Sequence, residues 1–86
     1  MVDVRTDMEY SQMRISFTNL QINHEDILSK IDLIPKASDI ILLCRSGMRS
    51  QIAAMYLINA GYDGNKLYNL DGGIMAWNNA LPVDIE

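Results

Sequence analysis

The sequence predicts an α/β layered domain with a mostly parallel central sheet. Three observations predict it. Apolar runs and segments of helical period alternate along the chain, the pattern of βα units. The run Ile40-Ile41-Leu42-Leu43 shows no polar alternation, the mark of a parallel strand covered on both faces. Directly behind it comes a loop, Cys44-Arg45-Ser46-Gly47-Met48-Arg49-Ser50, and then a helical stretch from Gln51 to Ala60. In sheets of this kind ligands sit beyond the carboxyl ends of the strands, where this loop falls.

Taken in order, Met1 to Val4 reads as a short buried strand. Thr6-Asp7-Met8-Glu9 has the form of a capping box, with Thr6 as N-cap of a helical turn. Met13 to Gln21 has no clear period and reads as loop, with a short strand near Leu20-Gln21-Ile22. Glu25 to Ile31 places Ile27, Leu28 and Ile31 on one helical face, capped at or near Asn23. Pro35 to Asp39 is the turn before the central strand. The helix that follows the loop is expected to bury Ile52, Ala53, Tyr56, Leu57 and Ala60, and Gly61 is its natural terminator. Lys66 to Leu70 reads as another strand. Gly72-Gly73 turns the chain into a short helix carrying Trp77.

Eighty-six residues predict one domain, 1–86, with a single modest core. Half the residues are apolar and a fifth are charged, which is globular composition. The net charge of −4 argues against nucleic acid or an anionic membrane as partner. One cysteine excludes an internal disulfide and any resolving thiol within the chain. No apolar stretch reaches the roughly 20 residues of a membrane span, and the N-terminus lacks the blocks of a signal peptide. The expected setting is a reducing cytoplasm. His24 has no Cys, Asp or Glu at ligand spacing, and the six methionines read as core filler, so neither metal nor other cofactor is expected.

A cysteine ending an apolar strand is, on its own, an ordinary core residue. The Arg-Ser-Gly-Met-Arg-Ser behind it is what a core position does not need. At the mouth of a helix, Cys44 faces unpaired backbone N–H groups and the positive end of the helix dipole. Arg45 and Arg49 add positive charge, and Gly47 can take the backbone conformation that a nest of N–H groups requires. These features favour a thiolate, the nucleophilic form.

The loop sequence Cys44 to Ser50 resembles the active-site loop of the rhodanese family of sulfurtransferases. Other segments fit the same family in the same order. Val2-Asp3-Val4-Arg5 followed by Glu9-Tyr10 is similar to its early Asp-Val-Arg segment. Leu70-Asp71-Gly72-Gly73-Ile74-Met75-Ala76-Trp77, then Leu81-Pro82-Val83, is similar to its C-terminal signature. The family's Gly-His-Ile-Pro-Gly-Ala stretch is replaced by Met13-Arg14-Ile15-Ser16-Phe17-Thr18, in which Ile15 alone is kept. The resemblance implies a three-layer rhodanese-like domain, its central sheet flanked by helices, without the family's N-terminal edge strand and first helix.

It also implies a function. Cys44 would be the catalytic nucleophile, taking a sulfane sulfur as a persulfide from a thiosulfate-like donor or a protein persulfide. A thiol or cyanide would then accept it. Arg45, Ser46, Gly47, Met48, Arg49 and Ser50 would form the substrate-binding loop. Arg45 is expected at the pocket rim, where an arriving anion meets it. Arg49, at a helix start, opposes the dipole and calls for an acidic partner or a bound anion. Asp3 and Arg5 are expected in structural pairs, with Arg5 and Glu9 one such pair. Two other readings stand beside this one: a non-catalytic persulfide carrier or docking module, and a phosphatase or arsenate reductase. The last uses a loop one residue longer than Cys44-x4-Arg49, with room for a tetrahedral oxyanion.

Overall fold

A computed structural model describes residues 1–70 and 72–80. Asp71 and the segment Leu81-Pro82-Val83 lie outside the described residues. The chain forms β1 (Val2–Asp3), α1 (Asp7–Gln12), β2 (Leu20–Gln21), two 3-10 turns (His24–Asp26 and Ile31–Leu33), β3 (Ile40–Leu43), α2 (Met48–Asn59), a 3-10 turn (Gly64–Lys66), β4 (Leu67–Asn69) and α3 (Gly73–Ala80). The four strands pair in the order β2-β1-β3-β4, every pair parallel. The expected α/β class with a parallel sheet is what the chain forms.

Residues alternate between two cores across the sheet. Ile40, Leu42 and Cys44 face one side, where Ala53 and Leu57 of α2 join Ile22, Ile27, Ile34 and Tyr62. Leu43 faces the other side, against Ile15 and Ile74, with Met13 and Trp77 at the margin. Each wholly buried aliphatic side chain contributes about 2 kcal/mol through removal from water. The strand is covered on both faces only at its carboxyl end. Ile41 is 40% exposed, because the second core reaches Leu43 and stops there. That end is the one carrying the loop.

Three expectations need correction. Glu25 to Ile31 is not one helix. Lys30 leaves helical geometry (φ −117°, ψ 21°), and the segment resolves into 3-10 turns, with Asn23 capping the first. Ile27 is buried while Leu28 is 56% exposed, so the shared apolar face does not form. The helix behind the loop starts three residues earlier than expected, at Met48, inside the motif. It buries Ala53 and Leu57 but not Ile52, Tyr56 or Ala60, which are exposed. A short helix lying on a narrow sheet presents only a thin stripe to it. Its end is as read: Gly61 N–H bonds the Ile58 carbonyl and Tyr62 N–H the Leu57 carbonyl, the paired bonds of a Schellman closure.

Two ion pairs fix the N-terminal elements. Asp3 and Arg5 are buried together, with Arg5 Nη2 2.7 Å from Asp3 Oδ2 and Nε 3.0 Å from Oδ1. The guanidinium also donates to the carbonyls of Met13 (2.6 Å) and Glu9 (3.3 Å). A buried pair is tolerable only when its remaining donors are satisfied in this way. Arg5 therefore meets Glu9 through the backbone, not as the expected side-chain pair. The Glu9 carboxylate belongs instead to Arg49, at 2.6 and 2.8 Å in a bidentate fork. Glu9 Oε1 also accepts from Thr6 N–H and Oγ1, and Thr6 Oγ1 caps Glu9 N–H, completing the expected capping box.

The Arg49 hydrogen bonds, helped by those from Thr6, hold the Glu9 carboxyl down at about 2 against the burial that would raise it. A carboxyl depressed in the folded state stabilises the fold above its unfolded value near 4.5, and that contribution disappears as pH falls towards about 2. Arg49→Ala is expected to cost about 1–2 kcal/mol at neutral pH, a value reduced by the partial exposure of both side chains. The melting difference between parent and variant should shrink as pH falls from 5 to about 2. Thermal melts across that range check it.

Gly73 allows α3 to reach the loop. It has φ +61°, and an added Cβ would lie 2.5 Å from the Arg45 carbonyl carbon, with the Cys44 carbonyl oxygen nearer still. Gly73→Ala should therefore destabilise by more than about 2 kcal/mol, since both the backbone conformation and the close approach oppose it. For a domain of this size the melting temperature should drop by roughly 10 °C or more.

Candidate active-site loop

β3 delivers Cys44 to the carboxyl edge of the sheet, and α2 starts four residues later. Gly47 is the N-cap of α2 at φ +105°, in the left-handed region. That turn folds the loop back so that its N–H groups point at the sulfur. Gly47 N–H donates to Cys44 Sγ at 2.8 Å, and the Ser50 hydroxyl lies 3.4 Å from it. The thiol is 1% exposed. Burial pushes its pKa up, but hydrogen bonds from the Ser50 hydroxyl and from the N–H groups of Ser50, Gly47 and Ser46 together outweigh it, and the thiol is more acidic than an ordinary cysteine.

Three of the loop's carbonyls have partners away from the sulfur. Cys44 carbonyl accepts from Ile74 N–H at 2.9 Å and Arg45 carbonyl from Met75 N–H at 3.3 Å, both at the start of α3. Gly47 carbonyl accepts from the Ser50 hydroxyl and from Asn69 Nδ2, each at 3.0 Å. Donors thus face the sulfur while acceptors are held away from it.

Hydrogen bonds, rather than the arginines, lead this acidity, and the electrostatic coupling of Cys44 with Arg49 is a smaller influence. Arg45 is exposed and lines a cleft of about 310 Å³ with Arg5, Glu9, Gln12, Met13, Ile74 and Met75. Among the described residues it has no ion-pair partner. Arg49 has the acidic partner that its helix-start position demanded, and Glu9 raises its pKa, with smaller electrostatic contributions from Cys44 and Asp3. Its guanidinium is engaged in the fork to Glu9. Ser46 supplies an N–H, Ser50 an N–H and a hydroxyl, and the Met48 side chain is 73% exposed.

Sequence reasoning missed Asn69, which bonds both Gly47 and Ser50 from β4. It paired Glu9 with Arg5 and so missed its bond to Arg49. No spacing rule links either to a loop 20 or 40 positions away; only the sheet order does. The atypical Met13-to-Thr18 wall is tied down by the Arg5 bond to Met13, by buried Ile15, and by Phe17 packed edge-on against Trp77 at 5.6 Å. Trp77 is thus a packing residue, as read. No group of three or more His, Cys, Asp or Glu among the described residues is placed to hold a metal ion. No helix among them is long and apolar enough to cross a membrane.

Known proteins resemble this chain over most of its length. A sulfurtransferase of Allochromatium vinosum is 40% identical over 84 residues, covering 96% of this chain and 76% of its own. The thiosulfate sulfurtransferase GlpE of Stutzerimonas stutzeri is 34% identical, covering 99% and 75%. Among solved structures, the reduced CoADR-RHD of Bacillus anthracis superposes with a TM-score of 0.86 at 31% identity, over 98% of this chain and 14% of that one. A rhodanese-like domain protein of Staphylococcus aureus gives 0.77 at 33% identity, over 88% and 71%. The sequence model of the Rhodanese-like domain matches residues 1–80, and the chain belongs to that family.

Proposed function

We propose that this domain is a sulfurtransferase that carries a sulfane sulfur on Cys44. The observation that carries the reading is the nest of N–H groups closed on Sγ, with Gly47 at 2.8 Å. The relatives named sulfurtransferases support it. The Cys44 thiolate attacks the outer sulfur of thiosulfate. A new S–S bond forms, the old one breaks, and sulfite leaves with the electron pair. The resulting persulfide is an anion in the same nest, stabilised by the same donors. A thiolate or cyanide then attacks the outer sulfur, and Cys44 leaves as thiolate. No general base is needed, because the sulfur ionises before it attacks. The ring is of a size for one sulfur atom, and Arg49 is engaged by Glu9, so tetrahedral-oxyanion chemistry is disfavoured.

A persulfide carrier is the second reading, favoured by the outer face of α2. Met48, Ile52, Met55 and Tyr56 are exposed there, and the helix has no charged residue after Arg49. Turnover decides: an enzyme cycles with thiosulfate and cyanide, and a carrier does not.

On exposure to thiosulfate, Cys44 should gain one sulfur atom by mass spectrometry, and Cys44→Ser should gain none. The alkylation rate of Cys44 should titrate below the ~8.5 of a free thiol. Retained sulfur transfer in Cys44→Ser would end the reading.

Arg45→Ala should raise KM for thiosulfate severalfold and leave kcat nearly unchanged, the pattern of lost uniform binding at the rim. Steady-state kinetics check it; a fall in kcat at constant KM would place Arg45 in the chemical step instead.

A further inference from the structure

Asn69 ends β4, and its backbone is paired with β3. Much of the residue is exposed, but its amide reaches inward to the loop. Nδ2 donates to the Gly47 carbonyl at 3.0 Å. This bond orients the amide, so that Oδ1 faces the Ser50 hydroxyl, whose one proton is shared between Oδ1, the Gly47 carbonyl and Sγ. Turning the amide over would set its oxygen against the Gly47 carbonyl, two acceptors in contact.

Both partners touch the reacting atom. Gly47 gives Sγ its 2.8 Å donor, and Ser50 Oγ lies 3.4 Å from Sγ. The backbone turn at Gly47, with φ +105°, is what aims its N–H at the sulfur. Glycine alone does not enforce that turn, since it adopts many others as easily. Something outside the loop must hold the outward carbonyl, and the Asn69 amide does so, together with the Ser50 hydroxyl at 3.0 Å.

We propose that Asn69 is a positioning residue for the reaction: it clamps the Gly47 carbonyl to the end of β4, and so fixes the Gly47 N–H that holds the anionic sulfur. This rests on the reading of Cys44 as the sulfur carrier, and it goes beyond that reading by adding a residue that touches neither substrate nor sulfur. The charged groups around the loop include Arg49 on α2, which is electrostatically coupled to Cys44, its partner Glu9 on α1, Asp3 on β1 and the exposed Arg45 in the loop itself. α3 has no ionisable side chain, and the one on β4, Tyr68, is 51% exposed. None of these changes when Asn69 is replaced.

The test compares parent, Asn69→Ala, Ser50→Ala and the double variant. Because Asn69 is exposed, its replacement leaves no cavity and the fold should persist, which thermal melts verify. The midpoint of Cys44 alkylation against pH should rise by at least about half a unit in Asn69→Ala, an approximately threefold loss of thiolate below the midpoint. The kcat for thiosulfate:cyanide transfer should fall about three- to tenfold, less than for direct removal of an oxyanion donor, with KM for thiosulfate unchanged. In the double variant the midpoint should shift by less than the sum of the singles, because both residues hold the same carbonyl. A parental midpoint and kcat in Asn69→Ala, a change confined to KM, or strict additivity would each overturn the proposal. If the parent gains no sulfur, the sulfurtransferase reading fails, and the alkylation midpoints still decide the role of Asn69.

Discussion

The structure turns on the disposal of three carbonyl groups. A loop that presents N–H groups to a sulfur anion must direct its carbonyls elsewhere, and each carbonyl needs a partner there. Cys44 and Arg45 give theirs to the first N–H groups of α3, and Gly47 gives its own to Asn69 and Ser50. The start of α3 has orphan donors by geometry, so it is suited to this task. Gly73 is required because α3 must come so close that no Cβ fits between it and the loop. The nest is therefore a product of two packing events at the carboxyl edge of the sheet, as much as of the loop sequence.

Charge is used differently. The cation nearest the thiol in sequence, Arg45, is exposed, and Arg49 is neutralised by Glu9. A free arginine at the start of α2 would oppose the helix dipole. The same Glu9 completes the cap of α1, so one carboxylate fastens α1 to α2 across 40 residues. Arg5 performs a matching service on the other side of α1, bonding Asp3, Glu9 and Met13. The acidity of Cys44 is led by neutral donors at short range. Short donors are insensitive to salt, whereas exposed cations are screened within about a Debye length.

The class, the parallel sheet and the identity of the loop were legible in the sequence because each has a local signature. An unbroken apolar run marks β3, a capping box marks α1, and the spacing from Cys44 to Ser50 marks the turn into a helix. What was not legible depends on neighbours brought in by the sheet order. Ile52 and Tyr56 have helical spacing for burial, yet nothing covers them. Ile41 sits in a uniformly apolar strand, yet the second core stops short of it. The Glu25-to-Ile31 segment has the right spacing for a helix, but the chain leaves helical geometry at Lys30 and forms tighter turns on either side. Asn69 had no signature at all, because its partners arrive through the pairing of β3 with β4.

Burial of the thiol gives the last step. Desolvation is the largest single influence on Cys44 and acts against ionisation, and the hydrogen bonds together exceed it. A solvent-exposed thiol would ionise with less help, but its anion would be satisfied by water and its attack would require stripping that water away. In the nest, the anion's solvation is supplied in advance by peptide groups that do not move, which is the condition for electrostatic stabilisation without reorganisation. Several donors act together against burial, and each contributes to the outcome. The loop's outer carbonyl bonds, which never touch the sulfur, therefore bear on its reactivity as directly as the donors they aim.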